Sequence, residues 1–266
     1  MNCESGYNEN MNADNPTAYS DVNAMLLKLL SEAQRILKDQ FIGMYLYGSL
    51  ASGDFNPETS DIDFLVVTSE ALSKETISEL EKMHVRFWQS GMKWASKLEG
   101  RYIAKDEMCR HNPNYPARPC LNEGEFYMAR EESDWIIQRY TIRLQGITLA
   151  GPDPKTLIDP VAPIEIQKAI SGYLCEWWKP LLDHPARLDS SKYQAYAILS
   201  MCRALYTLEY DTIASKQVSA RWTQENFGRR WSGLIAEALA WRPDVVLDRK
   251  NETIDFIRFT IEEYQL

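Results

Sequence analysis

No run of this 266-residue chain is apolar for long enough to cross a bilayer, which takes about 20 residues as a helix. The opening stretch, Met1 to Asn15, is polar and lacks the basic and apolar regions of a secretory signal, so a cytoplasmic protein with no membrane partner is expected. Histidine is scarce, and His84, His111 and His184 stand too far apart in sequence to suggest a shared metal. Cys3, Cys109, Cys120, Cys175 and Cys202 show no CxxC spacing and leave one thiol over in any full pairing, which argues for reduced cysteines and against structural zinc. Basic residues are outnumbered, 29 to 38, and the net charge of -9 argues against a broad nucleic-acid groove. Polycationic small molecules are drawn to such a surface instead. Internal repeats and low-complexity tracts are also absent.

What is present is an ordinary globular composition, 45% hydrophobic and 25% charged, enough for one large domain or two modest ones. Residues 1–18 show no periodicity and are expected to form a mobile lead-in. Met25, Leu26, Leu29, Leu30, Ala33, Ile36 and Leu37 then recur at helical spacing. Phe41 to Tyr47 reads as a strand, Gly48 to Gly53 as a small-residue loop, and Ile62 to Val67 as a second, buried strand. A long amphipathic helix is expected from Lys74 to Leu98, a third strand over Arg101 to Ala104, and a long loop over residues 109–124. Prolines 152, 154, 160 and 163 mark a boundary, after which the pattern is helical almost throughout. The expected organisation is therefore α+β: a mixed domain over residues 19–155 and a helical domain over residues 156–266.

Chemistry concentrates in Gly48-Ser49 and Asp61-Ile62-Asp63. Alternation along a strand points Asp61 and Asp63 to the same side. Two adjacent carboxylates repel each other, and a divalent cation relieves that repulsion. Mg2+ suits the pair because it binds one or two carboxylates together with substrate phosphates. Gly48 lets the backbone approach phosphate oxygens, while Ser49 and nearby amides can donate to them. Such a site favours in-line attack on the α-phosphate of a nucleotide triphosphate, and a third acid must then take the proton of the attacking hydroxyl. Glu99, placed between the long helix and the third strand, is the candidate. A Gly-Ser pair or an Asp-x-Asp triplet alone is usually just a loop or a cap; both together in a strand, turn and strand carry the reading.

Tyr45-Leu46-Tyr47-Gly48-Ser49 through Asp61-Ile62-Asp63 resembles the signature of the polymerase-β-like nucleotidyltransferases. More narrowly, the chain is similar to the bacterial aminoglycoside adenylyltransferases that modify streptomycin and spectinomycin. Leu149-Ala150-Gly151-Pro152, Asp159-Pro160-Val161, Cys202 to Tyr206 and Ser215 to Trp222 carry that narrower likeness. The resemblance implies a nucleotidyltransferase domain with a mixed sheet flanked by helices, then an α-helical bundle, with ATP and a small-molecule acceptor held between them. It also implies Ser49, Asp61 and Asp63 as phosphate and metal residues, Glu99 as base, and Arg203 and Lys216 as ATP-phosphate contacts. An aminoglycoside is the expected acceptor and a monomer the expected state. Residues 111–125 and 177–192 depart from the family pattern, so the identity of the drug does not carry over. Trp178, Asp183 and Asp189 are acceptor candidates there, against the plainer reading of surface acids in a helix connection.

Two other functions fit the same residues. The acceptor hydroxyl could belong to a protein or another metabolite, or the cleft could merely sense nucleotide. A pure binding module has no need of a base, so the acidic trio argues against the last.

Overall fold

The computed structural model describes residues 15–112, 114–130 and 133–264. By its internal contacts the chain forms two compact units, the first comprising residues 1–51, 61–130 and 142–159, the second residues 52–60, 131–141 and 160–266. No helix among the described residues is long and apolar enough to cross a membrane.

In the first unit the apolar stripe read from sequence forms helix α1, Ser20–Leu37, which buries Met25, Leu26, Leu29, Ala33 and Leu37. The expected lead-in needs correction where it is described: Thr17 is buried, and its amide and hydroxyl both donate to Asn23 Oδ1 while Asn23 Nδ2 donates to Thr17 O. Residues 1–14 of that lead-in lie outside the described residues. Strand β1, Phe41–Leu46, follows, then a single helical turn α2, Gly48–Ser52, and strand β2, Ile62–Thr68.

Helix α3 spans Lys74–Gln89, with Ser73 accepting from the Thr76 amide as its N-cap. It stops well short of Leu98, because the chain turns at Gly91, whose φ of 70° is a conformation that favours glycine. The apolar period continues past the helix since Trp94 and Leu98 are still buried, delivered by a short 3-10 turn, Ala95–Lys97, into strand β3, Leu98–Ala104. β2 and β3 are parallel, with α3 as their crossover.

Part of the expected loop 109–124 is a strand. After the short helix α4, Lys105–Cys109, β4, Arg118–Asn122, pairs antiparallel with β3, and β5, Glu125–Ala129, folds back on it. Glu123 and Gly124, with φ of 47° and 82°, make the two-residue turn that a tight hairpin demands. Helix α5, Asp134–Gln145, passes from the second unit to the first, and strand β6, Ile147–Ala150, completes a mixed sheet of order β5-β4-β3-β2-β1-β6.

Register sorts the two faces of this sheet. Phe64, Gly100, Leu121 and Phe126 are successive cross-strand partners and share one face. There Phe64 and Phe126 stack on His84 of α3, and a side chain at Gly100 would collide with the Phe64 ring. The alternate residues, Asp63 and Leu65 on β2 and Glu99 and Arg101 on β3, face the other way.

The second unit contains helices α6, Pro163–Tyr173; α7, Lys179–Asp183; α8, Ser191–Tyr210; α9, Lys216–Asn226; α10, Arg229–Ala240; and α11, Lys250–Glu263. A π-helical segment, Leu174–Trp178, joins α6 to α7. α8 is the central helix, packed against α9, α10 and α11 around Ile198, Cys202, Leu205, Trp231 and Phe256. The described cysteines, 109, 120, 175 and 202, are all free thiols.

Candidate active site

Asp63 is the second residue of β2 and lies directly beside Glu99, its register partner on β3. Register partners on adjacent parallel strands project to the same face, so the two carboxyl groups are neighbours. Glu99 thus belongs to the strand itself, rather than to a connection ahead of it. Asp61 immediately precedes β2, and the burial pattern alternates through this stretch: Ile62 and Phe64 are buried while Asp61 and Asp63 are half-exposed. On β3, Leu98 and Gly100 are likewise buried and Glu99 half-exposed.

The small-residue bend closes on this acidic face. Gly48 has φ of 62°, and a Cβ placed on it would stand 1.9 Å from Asp63 Oδ2. Glycine is therefore required twice at this position, for its backbone conformation and for the space the carboxylate fills. The Tyr47 amide donates to Asp63 O at 3.2 Å, holding the bend against the head of β2. Ser49, half-buried, is the next residue of α2.

Two basic residues that the sequence reading passed over share this neighbourhood. Lys97 Nζ lies 3.1 Å from Asp61 Oδ1, with both side chains about one-third exposed (31% and 32%). Arg101 follows Glu99 by two residues on the same face and pairs in register with Cys120, itself the partner of Tyr127. Burial raises the Tyr127 hydroxyl pKa; the Cys120 side chain and Glu99 add to the rise and Arg101 opposes it. A signal was available for Arg101, which stands two residues after Glu99 and so on its side of the strand; Lys97 lies in the 3-10 turn ahead of β3, where alternation does not apply.

Among the described residues no three His, Cys, Asp or Glu side chains gather into a closed metal cage. The donor set nevertheless fits Mg2+, which takes one or two carboxylates and completes its shell with phosphate oxygens and water. In this structure the Asp61 carboxylate accepts from the Lys97 ammonium.

In the second unit, Arg203 lies on α8, seven residues after Tyr196 and on the same helical face. Burial raises the Tyr196 hydroxyl pKa, and the nearby Arg203 charge partly offsets it. Lys216 is the exposed first residue of α9, following the Ser215 cap that accepts from the Val218 amide at 3.2 Å.

The acceptor candidates fare differently. Trp178 has no exposed surface and stands in the helical core among Tyr173, Tyr193 and Tyr196, so it cannot stack on an acceptor. Asp189 is engaged by Lys250 Nζ at 2.5 Å, an ion pair between the segment before α8 and the start of α11. Asp183 is exposed at the end of α7.

A mixed sheet bearing neighbouring acids beside a glycine bend, with α2 following it, is the arrangement of a nucleotidyltransferase. Residues 28–105 match the family described as nucleotidyltransferase domain, and residues 156–261 match aminoglycoside adenylyltransferase, C-terminal domain. The chain is an enzyme of the nucleotidyltransferase type and is similar to the aminoglycoside adenylyltransferases. It is 28% identical to a spectinomycin 9-adenylyltransferase of Campylobacter jejuni over 79% of this chain and 81% of that protein. It is 25% identical to an aminoglycoside (3'') (9) adenylyltransferase of Escherichia coli over 90% of this chain and 94% of that protein. In fold it is similar to the spectinomycin adenyltransferase AAD(9) from Enterococcus faecialis, solved with ATP and spectinomycin, with a TM-score of 0.71 at 20% identity over 90% of this chain and 98% of that one.

Proposed function

We propose that this enzyme transfers the adenylyl group of ATP to a hydroxyl of an aminoglycoside-type antibiotic, with Mg2+ and with release of pyrophosphate. The observation that carries the reading is the Asp63–Glu99 register pair beside Gly48. One of these acids has a ligand's position next to the bend, and the other is a base within a strand spacing of it. The relatives named above act on spectinomycin and aminoglycosides, which supports the acceptor class.

In this proposal Asp61 and Asp63 bind the metal, which when present offsets negative charge on the phosphates. Gly48 admits the triphosphate close to the backbone and Ser49 donates to it. Arg203 and Lys216 neutralise further phosphate charge. Glu99 removes the proton of the acceptor hydroxyl, whose oxygen bonds to the α-phosphorus as the bond to the β-phosphate bridge breaks.

The test is to incubate the enzyme with ATP, Mg2+ and a panel of spectinomycin, streptomycin and other aminoglycosides, following pyrophosphate and the mass of the drug. An adenylylated drug is expected. Pyrophosphate release only with a protein or an unrelated metabolite would replace the acceptor, and no release with any of them would overturn the reading. Glu99→Gln is expected to keep ATP binding and lose about 10²–10⁴-fold in turnover; undiminished turnover would remove Glu99 from its role.

A further inference from the structure

We infer that Lys97 is a built-in counter-ion for Asp61, occupying its carboxylate until a divalent cation displaces it, so that the metal-free enzyme resists loading by metal alone. The inference rests on the reading of Asp61 and Asp63 as metal ligands and adds a residue that acts against that metal.

Three observations support it. The Lys97 ammonium is 3.1 Å from Asp61 Oδ1, a charge-assisted hydrogen bond as well as an ion pair. Its position is fixed by the chain: Lys97 ends the 3-10 turn that leads into β3, two residues before Glu99, while Asp61 enters β2, the parallel neighbour of that strand. Finally, the acids are concentrated. Asp63 and Glu99 are register partners at the heads of two adjacent strands and Asp61 stands two residues before Asp63, and like charges placed so near one another disfavour their ionised forms. Arg101 lies on the same face further along β3, while Lys97 is the residue whose ammonium meets Asp61.

The consequence is competition. A divalent ion approaching the free enzyme competes with the Lys97 ammonium for the Asp61 carboxylate and meets its like charge close by. Metal that arrives with a triphosphate meets a different balance, because phosphate oxygens add negative charge that can receive both cations. Lys97 is thus a positioning residue that couples metal binding to nucleotide binding. Its long, partly exposed side chain is suited to this, since it can swing aside without disturbing the fold.

The test is Mn2+ binding to the nucleotide-free protein, followed by electron paramagnetic resonance of the unbound ion. Lys97→Met, which keeps the stem and removes the charge, is expected to bind Mn2+ about fivefold more tightly than the wild type, the scale of one exposed ion pair. Lys97→Arg, which retains the charge, is expected to stay close to the wild type. Thermal unfolding with and without Mn2+ supplies a second readout: Lys97→Met should start lower and gain more from the metal. Equal affinities in wild type and Lys97→Met, or undetectable binding to both, would overturn the inference. Asp63→Asn keeps this separate from the reading beneath it. If it abolishes Mn2+ binding while Lys97→Met changes nothing, the metal site stands and the role of Lys97 falls. If Mn2+ binds Asp63→Asn as it binds the wild type, the metal site is elsewhere and both fall.

Discussion

At the residue scale, Gly48 carries the sharpest constraint. An alanine there must hold a left-handed backbone, costing roughly 1–2 kcal/mol, and must also push the Asp63 carboxylate from its place. Gly48→Ala is therefore expected to lose nearly all activity and to destabilise the fold, whereas Gly53→Ala, with φ of 79° but no atom within 4 Å of the added carbon, should show only the backbone cost. Denaturant titration and turnover measured on both variants check this, and equal behaviour of the two would refute it. The side shared by Asp61 and Asp63 was legible in the sequence from strand alternation, whereas Glu99 was placed ahead of the third strand because that strand begins at Leu98 and not at Arg101. Arg101 follows the same rule but was passed over, as was Lys97 in the turn ahead of β3, since a basic side chain near a strand end ordinarily faces solvent. Trp178 was misread for a related reason: an aromatic in a helix connection looks like a binding surface until the π-helical segment carries it into the core.

His84 shows what burial does to a titratable group. Burial among Phe64, Phe87, Tyr102 and Phe126 pushes its pKa down to about 3, against 6.5 when unperturbed, and its Nε2 meets the Tyr102 hydroxyl at 2.7 Å. As pH falls below about 6.5 the unfolded chain takes up a proton that the folded chain refuses, so the contribution is whole above that value and is lost toward pH 3. The slope approaches about 1.4 kcal/mol per pH unit. His84→Gln keeps a partner for Tyr102 without the titration, and its stability should fall less steeply across this range in urea titrations at several pH values. A slope matching the wild type would assign the acid sensitivity to other groups.

At the scale of elements, the β4–β5 hairpin was the largest feature hidden from the sequence. Four of the five β4 residues are buried, so no alternation marks it, and Pro119 argued against a strand. The hairpin is tied down by a buried ion pair, Arg118 Nε to Glu107 Oε2 at 2.5 Å with side chains 5% and 8% exposed, linking β4 to α4. Removing one partner leaves a charge stranded, so Glu107→Ala is expected to cost about 3–5 kcal/mol. A loss below about 1 kcal/mol in chemical denaturation would mean that Arg118 finds other compensation. The longer helices in the second unit were far easier to read, because their apolar period is long and uninterrupted; their ends, the short helix α7 and the π-helical join required coordinates.

For the whole molecule, the acidic balance of -9 bears on how the proposed acceptor would be captured. If the acceptor is polycationic, kcat/KM for it should fall as salt rises while kcat changes little, because screening weakens long-range attraction more than contacts already made. Kinetics at several ionic strengths check this, and a salt-independent kcat/KM would assign capture to short-range contacts. The division of the chain has a further consequence. Residues 52–60 and 131–141 belong to the second unit although they precede Pro160. The second of these segments supplies Ile137 to the helical core, Tyr140, whose hydroxyl meets Thr212 Oγ1 at 3.1 Å, and Ser133, which donates to Glu176 at 3.0 Å. A fragment of residues 160–266 would expose that core, and it should bind a hydrophobic dye and melt without cooperativity, unlike one beginning at residue 131. Neither half can be cut out at a single junction, so recombination within the gene could not trade the helical portion between relatives as a cassette without also exchanging these two earlier inserts.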